Sequence, residues 1–143
     1  MRISFDFDGT LADDFDGTFN EQKDKVIAKL QELKSENHEI FIVTKRYSPD
    51  NSGKGSINEH IDPLRLAAEL GLSGKNVIFT NRELKAATLQ NLSIDMHFDN
   101  SDVELDHFLR NSKNSSMNWV MVNRQPWKIF NAEANEVEEM QYS

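Results

Sequence analysis

The sequence predicts an α/β domain: a three-layer sandwich built around a five-stranded parallel sheet. Short apolar runs rich in β-branched and aromatic residues alternate with longer segments of helical apolar spacing. This alternation is typical of a parallel sheet with helices on both faces and right-handed crossovers. The length of 143 residues suits one domain with one core. We expect that domain to span residues 1–130 and to be followed by an acidic tail, residues 131–143, that is frayed or loosely helical.

The predicted strands are short apolar runs that end at polar residues. In the first, Ile3, Phe5 and Phe7 alternate with polar residues, which is the period of a strand. The second, from Glu39 to Thr44, is almost continuously apolar, as in a strand that is buried on both faces. The five strands are predicted at residues 2–7, 39–44, 76–79, 94–98 and 119–122.

The predicted helices carry apolar residues three and four positions apart, which places these residues on one buried face. Val26, Leu30 and Leu33 follow this pattern in the first helix. Pro63 lies early in the second helix, where proline is tolerated only within the first turn. The four helices are predicted at residues 20–36, 57–70, 82–92 and 102–110.

Composition excludes several functional classes. The formal net charge of −8 argues against a general nucleic-acid scaffold, which normally carries a basic face. It does not exclude a small phosphorylated substrate, because a bound cation reverses the local field. The absence of cysteine excludes disulfides, thiolate catalysis and cysteine-based zinc sites. No signal peptide and no apolar run of roughly 20 residues is present, so we expect a cytoplasmic protein without a membrane span.

Two carboxylates at the end of the first strand are the most informative feature. Residues two apart on a strand point to the same face, so Asp6 and Asp8 project side by side where the strand stops. Gly9 then permits a tight turn. Adjacent carboxylates repel each other unless a cation or a shared proton relieves the repulsion. The pair therefore indicates a functional site rather than a solvated Asp-Gly turn.

Further polar residues follow the other predicted strands. Thr44 ends the second strand, Lys85 follows the turn after the third, and Asp99 ends the fourth. In an open parallel sheet, ligands bind beyond the carboxyl ends of the strands. These residues and the acid pair are therefore expected to converge on one crevice.

At these positions the sequence resembles the haloacid dehalogenase superfamily, in its aspartate-nucleophile phosphatase branch. The first motif of that family matches Asp6-Phe7-Asp8-Gly9-Thr10, and the second matches Ile42-Val43-Thr44. Lys85 matches the third motif, and Phe98-Asp99-Asn100 the fourth. The resemblance covers residues 2–106 and implies the Rossmann-like sheet of that family.

The resemblance implies a phosphoric monoester hydrolase. Asp6 would attack phosphorus and form an aspartyl phosphate. Asp8 would protonate the leaving oxygen and then activate the hydrolytic water. Thr44 and Lys85 would neutralise the phosphoryl oxygens. Asp6, the backbone carbonyl of Asp8 and Asp99 would hold Mg²⁺, a cation that prefers oxygen ligands.

Asn100 departs from the family pattern, and Asp102 has two alternative roles. Many relatives carry a second aspartate where this chain has Asn100, and that amide is expected to orient a water or to join the metal shell. Asp102 either supplies the missing charge or only caps the following helix. The resemblance also assigns phosphate or substrate binding to Gly9, Thr10, Lys45 and Arg46.

The segments after the first and second motifs are too short for a sizeable cap domain, so the chain resembles the capless members of the superfamily. An open crevice suits a large substrate or closure by a neighbouring subunit. Its mouth is expected to be lined by Arg46, Lys54, Arg124 and Trp127.

The substrate class stays open at this stage. The segment Asn123-Arg124-Gln125-Pro126-Trp127 is similar to an element of the deoxyribonucleotidase branch, which favours a nucleotide or another small phosphate ester. A polynucleotide-end phosphatase is the alternative within the same chemistry. The alternative that is not an enzyme is a receiver-like or phosphate-binding domain. A receiver, however, carries its phosphoacceptor aspartate at the end of the third strand, where this chain has Phe79-Thr80.

Overall fold

A mixed sheet of seven strands organises the part of the chain that the computed structural model describes, residues 1–56, 58–112, 115–132 and 136–140. Short 3₁₀ turns cover Pro49–Lys54 and Gly74–Asn76. In chain order the elements are β1 (Arg2–Phe5), α1 (Lys23–Ser35), β2 (Glu39–Thr44), α2 (Ile61–Glu69), β3 (Val77–Phe79), α3 (Ala86–Asn91), β4 (Met96–Asp99), α4 (Asp102–Asn111), β5 (Asn118–Met121), β6 (Trp127–Asn131) and β7 (Glu136–Met140).

The α/β class is confirmed, but the prediction of a sheet with five parallel strands only is wrong. The strand order is β3-β2-β1-β4-β5-β6-β7. The first five strands are parallel, and β6 and β7 join them in antiparallel pairs. Only a few residues separate β5 from β6, too few for a parallel crossover and enough for a hairpin.

The expected frayed or loosely helical tail contains a strand instead. Glu136–Met140 pairs with β6 from Trp127↔Met140 to Asn131↔Glu136. The edge of β6 offers unpaired backbone N–H and C=O groups, and β7 satisfies them. Residues 133–135 and 141–143 of the predicted tail lie outside the described residues.

The two faces of the sheet are covered by different helices. On β2, Ile40 and Ile42 belong to one core cluster and Phe41 and Val43 to the other, because alternate residues of a strand face opposite sides. The first cluster includes residues of α1 and α2, and the second includes residues of α3 and α4. The expected layers of helix, sheet and helix follow from this division.

The strand order places a crevice between β1 and β4. From β1 the chain proceeds through β2 to β3 on one side, and through β4 to β5 on the other. The backbone N–H of Asp6 donates to the carbonyl of Phe98 at 2.8 Å, which continues the pairing one residue beyond β1. The direction of winding changes here, and ligands of parallel sheets bind at such a switch point.

Three helices begin later than predicted, the first of them, α1, at Lys23 rather than at residue 20. α3 begins at Ala86 rather than at residue 82, because Asn81 and Arg82 have φ values of 55° and 73°, which a right-handed helix does not allow. α2 begins at Ile61, so Pro63 lies in its first turn as expected. The predicted start of that helix, Ile57, lies outside the described residues.

Trp127 belongs to the core rather than to the mouth of the crevice, so that part of the prediction is wrong. Its side chain is fully buried, and its ring lies edge-on to Phe98 at a centroid distance of 6.1 Å. The indole N–H donates to Gln22 Oε1 at 3.2 Å. Lys54 and Arg124 are exposed.

Within the described ranges, no helix combines the length and the apolar character that a membrane crossing needs.

Replacing Trp127 by alanine should lower the free energy of unfolding by about 3–5 kcal/mol, the usual cost of removing a large buried aromatic side chain. Urea unfolding followed by circular dichroism measures this change. Val103→Ala, at a position that is 69% exposed on α4, is the control and should stay within about 0.5 kcal/mol of wild type. A small effect at Trp127 would contradict its place in the core.

Candidate functional site

A buried ion cluster lies at the carboxyl ends of β1 and β4. Asp6 follows β1 directly, Asp99 ends β4, and Lys85 immediately precedes α3. The Lys85 ammonium donates to Asp6 Oδ1 at 2.6 Å and to Asp99 Oδ2 at 2.9 Å. The three side chains are at most 10% exposed, so little solvent weakens their attraction.

The cluster continues into the core through two polar residues. His97 Nε2 lies 2.9 Å from Asp99 Oδ2, and His97 Nδ1 lies 2.6 Å from Ser4 Oγ. A carboxylate only accepts hydrogen bonds, so Nε2 carries the proton and Nδ1 accepts from the serine hydroxyl. Asp99 Oδ1 accepts the backbone N–H groups of Asn100 and Ser101. Both oxygens of Asp99 are therefore fully engaged.

Burial and neighbouring charges set the protonation of this cluster. Burial and the charge of Asp99 raise the pKa of Asp6 to about 8, although Lys85 acts against them. Burial also disfavours the charged form of Asp99, but the charge of Lys85 and the hydrogen bond from His97 outweigh it and hold the pKa of Asp99 well below its usual range. Burial likewise disfavours the charged form of Lys85, but the charges of Asp6 and Asp99 outweigh it and raise the pKa of Lys85. Burial lowers the pKa of His97, which favours the neutral ring.

The second acid of the pair is held separately by an arginine. Arg46 Nε and Nη2 donate to the two carboxylate oxygens of Asp8 at 3.0 and 2.7 Å. Arg46 Nη1 also donates to the backbone carbonyl of Glu59 at 2.7 Å. This two-pronged contact restricts the Asp8 carboxylate to one orientation, and Asp8 remains 21% exposed at its side chain.

Asn100 lies against the oxygens of both acids. In one orientation its amide N–H₂ donates to Asp6 Oδ2 at 3.0 Å and to the Asp8 carbonyl at 3.2 Å. In the other orientation its oxygen faces the same two oxygens, an arrangement that a cation or a proton on Asp6 relieves. Gly9 makes this approach possible: its φ is 75°, and a Cβ there would lie 2.2 Å from the Asn100 amide.

These groups open onto a cavity of about 280 Å³. One side is a wall in which cationic and aromatic groups pack together: the Phe15 ring lies 4.9 Å from the Arg46 guanidinium and 5.4 Å from that of Arg82. Tyr47 packs on Arg82 at 4.6 Å. The other lining residues are Asp6, Asp8, Lys45, Lys85, Asp99, Asn100, Ser101 and Glu104.

Two buried glutamates anchor the surroundings of the cavity. Glu59 accepts from both terminal nitrogens of Arg82, at 2.8 and 3.0 Å, and from the backbone N–H groups of Tyr47 and Ser56. Glu104, on α4, accepts the backbone N–H of Lys85 at 3.0 Å through Oε2. Each glutamate thereby holds a loop that carries a cation of the site.

Most of the residues predicted for the site come together. Asp6, Asp8, Lys45, Arg46, Lys85, Asp99 and Asn100 line the cavity. Thr10 donates to Asp6 Oδ2 at 3.1 Å, and Thr44 Oγ1 accepts the Arg46 backbone N–H at 3.2 Å; these two residues support the lining without being part of it. Asp102 is exposed as the first residue of α4 and does not line the cavity.

Sequence reasoning missed several residues around the site. His97 is fully buried, and nothing in the sequence indicates its contact with Asp99. No local sequence pattern indicates that Glu59, Arg82 or Phe15 lies at the site. Glu104 does carry one, because a serine followed three residues later by a glutamate is a capping box.

No group of three or more histidine, aspartate or glutamate side chains in the described ranges is arranged to hold a metal ion. The oxygens that converge here come from one carboxylate, one backbone carbonyl and one amide, those of Asp6, Asp8 and Asn100. Oxygen ligands of these kinds are the ones that Mg²⁺ prefers.

Glu59→Gln should lower the free energy of unfolding at neutral pH by about 1–3 kcal/mol, because Arg82 and two backbone N–H groups lose a carboxylate acceptor. Burial raises the pKa of Glu59, but the bonds from Arg82, Tyr47 and Ser56 outweigh it and hold the pKa below its ordinary value. The carboxylate therefore stabilises the fold at neutral pH, and this stability is lost as pH falls through the folded-state pKa. Urea unfolding at several pH values should show the difference between variant and wild type shrinking below about pH 5.

The matched control is Glu83→Gln, at an exposed position in the adjacent turn, which should change stability by less than about 0.5 kcal/mol at any pH. A difference between Glu59→Gln and wild type that does not vary with pH would contradict the role of the Glu59 carboxylate.

No family model matches this sequence. Neither a curated protein nor a solved structure matches it. The resemblance to the haloacid dehalogenase superfamily therefore stays a prediction from the motifs, and the case for a function depends on the chemistry of the residues above.

Proposed function

We propose that this protein is a Mg²⁺-dependent phosphomonoester hydrolase that forms an aspartyl phosphate on Asp6. The observation that carries the proposal is the arrangement around the Asp6 carboxylate, which lies between the Lys85 ammonium at 2.6 Å and the Thr10 hydroxyl at 3.1 Å. A second acid, Asp8, lines the same cavity. An oriented carboxylate beside a cation and a second acid has the parts that covalent phosphoryl transfer requires.

Lys85 offsets the repulsion between Asp6 and an incoming phosphate. Two of its N–H donors bind Asp6 and Asp99, and an ammonium has three, so one is left for a phosphoryl oxygen. Asp99, held by His97 and by two backbone N–H groups, keeps the ammonium in place. The Thr44 hydroxyl is fully buried outside the cavity lining and accepts the Arg46 backbone N–H at 3.2 Å, so in this proposal it positions Arg46 rather than binding the phosphoryl group.

Asp8 is the general acid and base of the proposal. In the first step Asp6 bonds to phosphorus as the ester bond breaks, and Asp8 gives its proton to the leaving oxygen. In the second step Asp8 takes a proton from water, the water oxygen bonds to phosphorus, and phosphate leaves with Asp6 restored. Arg46, at 2.7 and 3.0 Å from the Asp8 oxygens, orients the carboxylate and stabilises the charge that Asp8 carries after its proton has gone to the leaving oxygen.

The residues present fit Mg²⁺. With metal–oxygen bonds of about 2.0–2.1 Å, adjacent ligands of an octahedral site lie about 2.9 Å apart. The Asn100 amide atom lies 3.0 Å from Asp6 Oδ2 and 3.2 Å from the Asp8 carbonyl, close to that spacing. Asp99 has no oxygen left for a metal, so Asn100 replaces Asp99 in the proposed ligand set. When bound, the cation would favour the ionised form of Asp6, which burial disfavours in its absence, and would neutralise charge on the phosphoryl oxygens.

A small phosphate ester, such as a nucleotide, is the proposed substrate class. The cavity of about 280 Å³ suits a small molecule, and Phe15 offers it a half-exposed aromatic ring. A receiver-like role has less support, because β3 is followed by Thr80 and not by an acid.

Asp6→Asn should reduce hydrolysis of p-nitrophenyl phosphate in the presence of Mg²⁺ by more than about a thousandfold, because the nucleophile is lost. Asp24→Asn, at an exposed position on α1, removes the same charge elsewhere and should retain wild-type activity.

Full activity of Asp6→Asn would overturn the mechanism. A crystal grown with Mg²⁺ and beryllofluoride gives an independent result. Beryllofluoride bonded to Asp6 supports the assignment of the nucleophile, whereas beryllofluoride on Asp99 contradicts it.

Asn100→Ala should weaken Mg²⁺ binding about tenfold or more, and Asn100→Asp should strengthen it, because ligand number and ligand charge both set the affinity of such sites. Isothermal titration calorimetry without substrate measures both effects. Asn123→Ala, at an exposed amide in a nearby loop, should leave the affinity unchanged. Equal affinities of Asn100→Ala and wild type would exclude Asn100 from the ligand set.

A further inference from the structure

One buried carboxylate oxygen in the cavity has no hydrogen-bond donor within the part of the chain that the structure describes. The Glu104 side chain is 1% exposed. Its Oε2 accepts the Lys85 backbone N–H at 3.0 Å, whereas Oε1 has no hydrogen-bond partner among the described residues. The Lys45 ammonium lies 3.6 Å from Oε1, close enough for electrostatic attraction and beyond hydrogen-bonding distance.

A buried carboxylate oxygen without a donor is energetically unfavourable, because burial removes its water without replacement. Glu104 lines the same cavity as Asp6 and Asp8. A hydrogen-bond donor on a molecule bound in the cavity would satisfy this oxygen.

The local structure keeps Glu104 directed away from its own helix terminus. Ser101 and Glu104 form the sequence pattern of a capping box, in which the glutamate accepts the serine backbone N–H. Here Asp99 Oδ1 already accepts that N–H at 3.0 Å, while Ser101 Oγ accepts the Glu104 backbone N–H at 3.2 Å. The Glu104 carboxylate is thus released from the cap and fixed on Lys85.

We propose that Glu104 and Lys45 form a leaving-group subsite, in which Glu104 Oε1 accepts a hydrogen bond from a hydroxyl group of the substrate. The inference rests on the proposed phosphatase function and narrows its substrate class to phosphate esters of polyols and sugars, including the ribose of a nucleotide. A neutral hydroxyl fits better than an amine, because Lys45 would repel an ammonium at this position.

The first test compares glycerol phosphate with propyl phosphate, esters that differ in their hydroxyl groups. The wild-type protein with Mg²⁺ should show kcat/KM at least about tenfold higher for glycerol phosphate, the effect expected of one hydrogen bond to a charged acceptor. Glu104→Gln keeps an oxygen for the Lys85 N–H and replaces the charged acceptor by a neutral amide, whose hydrogen bond to the hydroxyl is weaker, so the ratio should fall severalfold.

Asp102→Asn is the matched control, because it removes a carboxylate from the same helical turn at an exposed position outside the cavity. It should keep the wild-type ratio. A wild-type ratio near one, or a ratio that Glu104→Gln leaves unchanged, would overturn the subsite.

A second variant keeps the inference testable should Glu104→Gln fail to fold. Lys45 is 41% exposed at its side chain, and Lys45→Met removes the repulsion of an ammonium group. The kcat/KM of ethanolamine phosphate relative to glycerol phosphate should then rise about tenfold. An unchanged ratio counts against the subsite.

Binding distinguishes failure of the subsite from failure of the proposed function. Absence of hydrolysis of every ester, p-nitrophenyl phosphate included, overturns the phosphatase but not the subsite. Calorimetry with Asp6→Asn and Mg²⁺ then compares the two esters without turnover. Binding of glycerol phosphate at least about tenfold tighter supports the subsite, and equal binding or no binding of either ester overturns it.

Discussion

The buried contact between Lys85 and the carboxylates of Asp6 and Asp99 is the constraint on which the rest of the site depends. One ammonium lies between two carboxylates at 2.6 and 2.9 Å, and all three groups are nearly inaccessible to solvent. Removing one partner from a buried ion pair leaves an uncompensated charge at high cost. The ends of β1 and β4 and the start of α3 must therefore stay together, and the switch point of the sheet is where they can do so.

Two glutamates outside the family motifs bind the loops that carry the lysine and arginine side chains of the site. Glu104 binds the backbone N–H of Lys85. Glu59 binds Arg82 and the backbone N–H groups of Tyr47, which follows Arg46, and of Ser56. These contacts fix positions of charge before any ligand arrives, which is the general requirement for electrostatic catalysis. The wall of Phe15, Arg46 and Arg82 ties the segment after β1 to the loops after β2 and β3.

The predictions from sequence succeeded where a residue is tied to the end of a strand. Asp6, Lys85 and Asp99 come together because parallel strands end at one edge. The predictions were less successful at assigning separate roles to residues that are adjacent in the sequence. Asp99 matches the motif of a metal ligand, yet its oxygens are used by Lys85, His97 and two N–H groups, and Asn100 takes the position beside Asp6 and Asp8. Which of two adjacent side chains faces a site depends on local backbone direction, which motif spacing does not specify.

The sequence by itself determined the α/β class, the order of the first five strands and helices, and the acid pair beside a cation. Periodicity and strand ends encode these features within short stretches of chain. Only the tertiary structure decided that β6 and β7 extend the sheet, that Trp127 lies in the core and that Glu104 faces the cavity. Glu104 illustrates why the sequence alone does not specify such contacts. Its local pattern predicts a bond to Ser101, but Asp99 takes that N–H and Lys85, 19 residues away in the chain, takes the carboxylate. A hydrogen bond goes to the partner that packing brings nearest, and packing between distant segments has no local signature in the sequence.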